Sequence, residues 1–440
     1  MIWRNTHRSA AVRALVAVAA VTLIAPMFAQ TGAWTSPVVL STGSQGWEAA
    51  AAIVGNGNSV ALWDVRTTQD QLWSRSRPTT GNWGPVTQVS PALQTTSVFP
   101  AVRISTVGLA TAVWSDQSGM WTADRPPASN WNPAQLLISG VSTPIFVMNS
   151  RGDAAIVWTV GGPRSTSGSV RAVLRPAGQA WTSPQIVASG VHVAADHAGI
   201  SANGAVIVTW ESYNAVCKKS CVLSSYVLHA SRQNAGSGTW VDPGPLLGPD
   251  KASHAARVAL DFTGQAMLEA LSSSGAFISA TQGNSGGAWS SFNTIANPQV
   301  STIVTDLASD DAGQVTFVYE SITYPTSQAV AVSGSISNNM WSSPAVLSGS
   351  DTNVSQVYFA LAPSGAAVTI WLSSSGTPAI HAITRGSATA PWSSPITVSG
   401  PGSSISPEAA AVDSSGNAVA IYSGYDNVSV HTEYATNFLP

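Results

Sequence analysis

The sequence predicts an all-β fold: a single β-propeller over residues 34–438, with eight four-stranded blades and seven as the alternative, closed by an N-terminal outer strand that joins the C-terminal blade. Three observations point there. Tryptophans that open a Trp-x-x-Pro phrase or a near variant stand at 34, 83, 131, 181, 240, 289, 341 and 392, with successive gaps of 49, 48, 50, 59, 49, 52 and 51 residues. Glycines at 57, 108, 152, 204, 264, 313, 365 and 416 run in phase with them, each six residues before a position that is aromatic in every unit but one, where it is Ala270. Charged residues make up only 9% of a chain that holds 37 Gly, 26 Pro and 17 Trp, a balance that favours short strands and turns over helices.

Each repeat supplies four strands. Stretches such as EAAAAIV at 48–54, PAVRIS at 100–105 and PEAAAVD at 407–413 are rich in small side chains, as the crowded axis of a propeller requires, so they are placed innermost. A tight hairpin follows. Asn149, Asp261, Asp310 and Asp413 stand three residues before the glycine, where the side chain caps the turn and Gly takes a positive φ. The second strand runs to the repeated ring: Trp63, Trp114, Trp158, Trp210, Tyr319, Trp371 and Tyr422. The third alternates, as in LWSRSR, MWTADR and VRAVLR, and often ends on arginine: Arg77, Arg125, Arg175, Arg232 and Arg385. The Trp-Pro phrase is then the outermost strand. On this frame the chain starts with an outer strand at Trp34 and ends with three inner strands near Tyr434, so the first strand completes the last blade and leaves no open edge. Seven blades would result if the unit lacking the ring, or the long unit 181–239, were displaced.

The first thirty residues stand apart. Arg4, Arg8 and Arg13 precede the apolar run ALVAVAAVTLIAPMFA, the layout of a secretory signal over residues 1–30, with an uncleaved membrane anchor as the alternative. The expected location is therefore secreted or periplasmic, with no membrane association after cleavage. Removal of those arginines takes the formal charge from −3 to −6 and leaves Lys218, Lys219 and Lys251 as the lysines. No run of Lys and Arg suits a phosphate backbone, which argues against nucleic acid as a partner. In an oxidising compartment Cys217 and Cys221 of CKKSC are expected to form a local disulfide, with free thiols as the alternative.

A ring recurring at one strand position reads as packing between neighbouring sheets, each contributing roughly 2–3 kcal/mol by burial. The strand-end arginines read as structural, capping a loop or lying over a ring at the blade edge. Function is expected in the connections that differ between blades, which open on one face. That face carries Asp64, Arg66, Asp70, Asp116, Glu211, Tyr213, Glu320, Tyr324, Tyr425 and Asp426. Of these, Asp64, Asp116, Glu211, Tyr213, Glu320, Tyr324, Tyr425 and Asp426 are the candidate ligand-binding residues. Carboxylates and tyrosines around a central mouth suit a polyol or a cation; the same residues also read as a solvated rim. Other signals are weak. GNSGG at 283–287 has the spelling of a nucleophile elbow without its strand-to-helix context. Asp196, His197 and His254 fall on inner strands of adjacent blades, where they could meet near the axis, but they lack metal-ligand spacing. No cofactor, metal or catalytic residue is expected.

The repeat style resembles secreted bacterial β-propellers of the sialidase-like and propeller-lectin type. The Asp-x-x-Gly hairpins are similar to the sialidase Asp-box, with SDDAG at 309–313 keeping its serine, aspartate and glycine order. RIS at 103–105 resembles the start of the sialidase Arg-Ile-Pro phrase without its proline. The resemblance implies a binding module or interaction scaffold whose ligand is a glycan or an envelope component. The alternatives are a glycoside hydrolase drawing an acid and a nucleophile or base from Asp64, Asp116, Glu211 and Glu320, and a structural surface protein.

Overall fold

Small residues at 49–52 and 409–411 let strands crowd an axis, and the structure builds its sheets around that crowding. The computed structural model describes residues 32–41, 46–65, 70–90, 100–140, 143–296, 301–400, 404–425 and 431–440, and no helix occurs among them. The proposed signal segment lies outside the described residues, as do Arg66 and Asp426.

Eight antiparallel sheets form the propeller. Blade 1 runs outward through Gly46–Ile53, Ser59–Val65, Gln71–Arg77 and Thr87–Gln88. Blades 2 to 7 repeat this order over 101–139, 145–190, 193–250, 257–296, 301–346 and 354–397. Each inner strand touches the next all the way round, and Ser406–Val412 of blade 8 touches the inner strand of blade 1. Blade 8 takes its outer strand from the other end of the chain. Trp34 pairs with Phe438 and Val38 with Ala435, and the Leu40 N–H donates to the Glu433 carbonyl at 2.8 Å. The ring therefore holds eight blades, and the unit lacking the aromatic forms an ordinary fifth blade.

Why the ring recurs is visible in the core, which divides into eight clusters, one per seam. Each repeated ring fills the seam with the preceding blade: Trp114 packs against Val60, Leu62 and Leu72 of blade 1, and Trp371 against Val318 and Ala331 of blade 6. All seven are buried. Seam 4/5 is the exception, with Ala270 facing Leu228 and Ala230.

The glycine turns form one face. All eight glycines have φ between +75° and +96°, a region that costs any side chain about 1 kcal/mol or more. The Asn149, Asp310 and Asp413 side chains each accept backbone N–H groups two to four residues on, as the turn pattern predicts. Turns also grip their neighbours: the Gly57 N–H donates to Asp413 across seam 8/1, Asn149 to the Ser201 carbonyl, and Asn203 to the Thr263 carbonyl. At the axis this face holds a cavity of about 410 Å³ with mixed walls, to which Ile53, Met148, Leu260 and Leu361 contribute apolar side chains and Arg103 and Asn149 polar ones.

The strand-end arginines are structural. Arg175 lies over Trp181 at 4.7 Å and donates to Asp124 of the preceding blade at 2.9 Å; Arg385 lies over Trp392 at 4.8 Å and reaches Thr316 of the preceding blade. Each joins a cation–ring contact to a bond across the seam. GNSGG lies in the turn after the third strand of blade 5, with no helix near it.

Candidate ligand face

The connections after the second and outer strands open on the face opposite the glycine turns. Here the residue just after the repeated ring has one recurring task. The inner strand bulges opposite the ring in blades 1, 4, 6, 7 and 8, and in blades 2, 3 and 5 its pairing starts only at about that level. A bulge leaves backbone N–H groups outside the ladder. The side chain after the ring accepts one, usually from the next blade: Ser115 from Thr143 at 3.4 Å, Thr159 from Ala195 at 2.9 Å, Glu211 from His254 at 2.7 Å, and Glu320 from Gln356. Asp64 accepts the Glu48 N–H of its own blade at 2.6 Å.

This sets where the candidate carboxylates lie. Asp64, Glu211 and Glu320 are 0%, 3% and 5% exposed, inside the seams rather than on a solvated rim. Asp116 instead holds its own turn, accepting the N–H groups of Ser118 and Gly119 at 2.8 and 3.1 Å. The tyrosines stay accessible. Tyr324 tops the long hairpin of blade 6 at 94% exposure, and Tyr425 is 40% exposed and edge-on to His431 at 5.1 Å. Tyr213 is half-buried between two rings, His192 stacked at 5.5 Å and Tyr226 tilted at 5.7 Å.

Bulges also bring charge toward the axis. His197 Nε2 stands 3.8 Å from Asp306 Oδ1, and Arg103 from the opposite side of the ring interacts with both. The axis admits solvent, since Arg103 is exposed and Asp306 partly so, but His197 is more enclosed, its side chain 24% exposed. That enclosure, with Arg257 and Arg103 near, pushes His197 down to about 3 and keeps it neutral at physiological pH. At seam 8/1, burial and the neighbouring Glu48 and Asp64 raise Glu408 to about 7. Behind it Glu433 is fully buried with no hydrogen-bond partner for either oxygen, and burial raises it well above the usual carboxylate range.

Seam 4/5, where the ring is missing, holds a second buried polar group. His254 is clamped between Glu211 Oε1 on Nδ1 at 2.8 Å and Asp250 Oδ2 on Nε2 at 2.9 Å. Burial alone would lower its pKa, but the two carboxylates reverse this and raise it. Asp196 stands beside them, raised to about 7 first by burial and then by Glu211. Glu269, beside Ala270 but on the other face of the strand toward blade 6, is buried opposite Arg257 with both oxygens unpartnered. His254 precedes the inner strand rather than lying on it, and Asp196 approaches it while His197 turns to Asp306. No three His, Cys, Asp or Glu side chains among the described residues are grouped to hold a metal ion.

Blade 4 departs most from the repeat. Its second and third strands extend to Val206–Cys217 and Cys221–Gln233, and the Cys217–Cys221 disulfide joins them across the tip, with Cα atoms 4.0 Å apart. A bulge between Ser212 and Asn214 turns Tyr213 out of the ladder onto His192 and Tyr226. Sequence reasoning singled out Tyr213 but missed its two partners, since their only sign is an aromatic residue on the facing strand, Tyr226, and a histidine just before the inner strand.

No protein-family model and no curated protein matches the chain. Solved structures share the fold. BP39L, a lectin from Burkholderia pseudomallei, superposes with a TM-score of 0.51 at 15% identity, covering 81% of this chain and 100% of its own. The Dos1 propeller gives a TM-score of 0.52 at 7% identity, covering 92% of this chain and 95% of its own. At these identities the likeness is one of fold alone.

Proposed function

We propose that the protein is an exported propeller module that binds a glycan, free or in the cell envelope, on its loop-rich face without altering it. The observation that carries this is the shelf formed by His192, Tyr213 and Tyr226, three adjoining half-buried rings at the base of the blade 4 hairpin, Tyr213 stacked on His192 and tilted to Tyr226. Flat rings offer sugar C–H faces an apolar platform while the tyrosine hydroxyls meet the polar edges, and partial burial fixes the rings beforehand, which lowers the ordering cost of binding. A lectin is among the proteins that share this fold, which is consistent with the reading.

Hydrolysis has less support. Asp64, Asp116, Glu211 and Glu320 each already accept hydrogen bonds from the chain, and three of them are buried. The test is a glycan array probed with the purified protein and with Tyr213→Ala, Tyr324→Ala and Tyr425→Ala. Binding that survives the last two changes and is lost with Tyr213→Ala places the ligand on the shelf; an array on which nothing binds rejects the proposal.

A further inference from the structure

We infer that the shelf takes a polysaccharide bearing carboxylates, such as a polyuronate; this rests on the glycan-binding reading and names its ligand class. The observation is where the lysines lie. The sequence has three in 440 residues, and the fold brings all of them to blade 4. Lys218 and Lys219 form the tip of the hairpin above the shelf, both exposed. Lys251 is exposed and follows Asp250, the residue paired with Tyr226 of the shelf.

A fourth cation joins them from blade 3. Arg164 donates to the Lys218 carbonyl at 3.1 Å and to the Lys219 carbonyl at 2.9 Å, so its guanidinium stands against a tip that already carries two ammonium groups. Like charges held together repel, and an acidic chain with so few cations has no folding need to collect them. Asp250 and Glu211, the carboxylates beside Tyr226, are both engaged by His254. The disulfide and the Arg164 contacts hold the tip in place, and exposed Val216 and Val222 pair beside it. Rings below and fixed cations above, along one hairpin, match a chain of sugars with acidic groups at intervals: the faces stack and the carboxylates meet the cations.

The test measures binding of the full chain to polygalacturonate fragments, to neutral galactan fragments of the same size, and to phosphatidylglycerol vesicles. The variants are K218Q/K219Q/K251Q, whose changes are confined to exposed side chains, and Tyr213→Ala. Polygalacturonate is expected to bind at least tenfold more tightly than galactan, with the preference lost on going from about 50 mM to about 500 mM salt, where screening shortens the reach of surface charge. The triple variant is expected to lose on the order of tenfold for polygalacturonate, as several exposed ion pairs would give together, and nothing for galactan. Tyr213→Ala is expected to weaken both. Equal binding of the two glycans, unaffected by the triple substitution, overturns the inference and leaves the glycan reading standing. Binding to the vesicles and to neither glycan overturns both in favour of an anionic lipid surface, and binding to none of the three rejects both.

Discussion

Seam 1/2 and seam 4/5 occupy equivalent places in the ring and are built in opposite ways. The first is closed by Trp114, fully buried among alanines, valines and leucines. The second has Ala270 at that position, and nearby lie Glu211, His254, Asp250 and Asp196. Where the ring is missing, Glu211, His254 and Asp250 meet across the seam and satisfy one another. Blade 4, on one side of that seam, also bears the long hairpin, so the departure from the repeat and the candidate ligand shelf fall together.

The comparison is broken most severely at the apolar seam. Trp114→Ala should cost about 3–5 kcal/mol in urea unfolding, the range for a fully buried aromatic truncated to a methyl. Trp114→Phe should cost much less, because the buried indole N–H has no acceptor and its removal relieves an unmet hydrogen bond. At the polar seam, His254→Ala removes the donor between Glu211 and Asp250, for an expected loss of about 2–3 kcal/mol by the same measurement.

The pH dependence sharpens the contrast. Asp196 and Glu408 are raised to about 7, and Glu269 and Glu433 are raised well above the usual carboxylate range. A carboxyl raised on folding adds stability that is complete below its unfolded pKa near 4 and lost as pH climbs through its folded value. His254, raised by its two partners, acts in the same sense, while the lowered His197 opposes them only below about 6.5. The melting temperature should therefore be higher at pH 6 than at pH 8 by a few degrees. Glu269→Gln should stabilise the protein at pH 8 by about 1 kcal/mol and reduce that difference, because it removes a buried group that resists ionisation. A flat melting profile between pH 6 and 8 would count against these neutral buried acids. The smallest effect is expected far from either seam: Tyr324→Ser should leave unfolding unchanged within about 0.5 kcal/mol.

The frame of the molecule was legible because each repeat states it locally. Trp and Gly spacings, the Asp or Asn of the turns and the permuted start are all short-range signals, and the structure returns eight blades with Trp34 on Phe438. The roles of Asp64, Glu211 and Glu320 were not legible. A carboxylate just past a buried ring looks like the start of a solvated loop, yet the N–H groups that Glu211 and Glu320 accept lie 43 and 36 residues on, in another blade, where no spacing rule reaches. The bulges that free those N–H groups are equally silent, since one extra residue in an alanine-rich strand leaves no mark. The lysine cluster needed both the hairpin register and the Arg164 contacts. The sequence showed two adjacent lysines and a third 32 residues on; the fold places all three on the long hairpin side of blade 4.

The pairing of Ala33 with Leu439 has a mechanical corollary. Both ends of the propeller leave from one spot on its rim, so a tether at either terminus would suspend the disc from the edge of blade 8. Traction applied between the two ends would load that blade's outermost ladder, peeling its strands one bond at a time while the seven remaining blades stay unstressed. A linker joining residue 439 to residue 33, with new termini cut into a turn elsewhere, should remove that weak point and leave the disc intact.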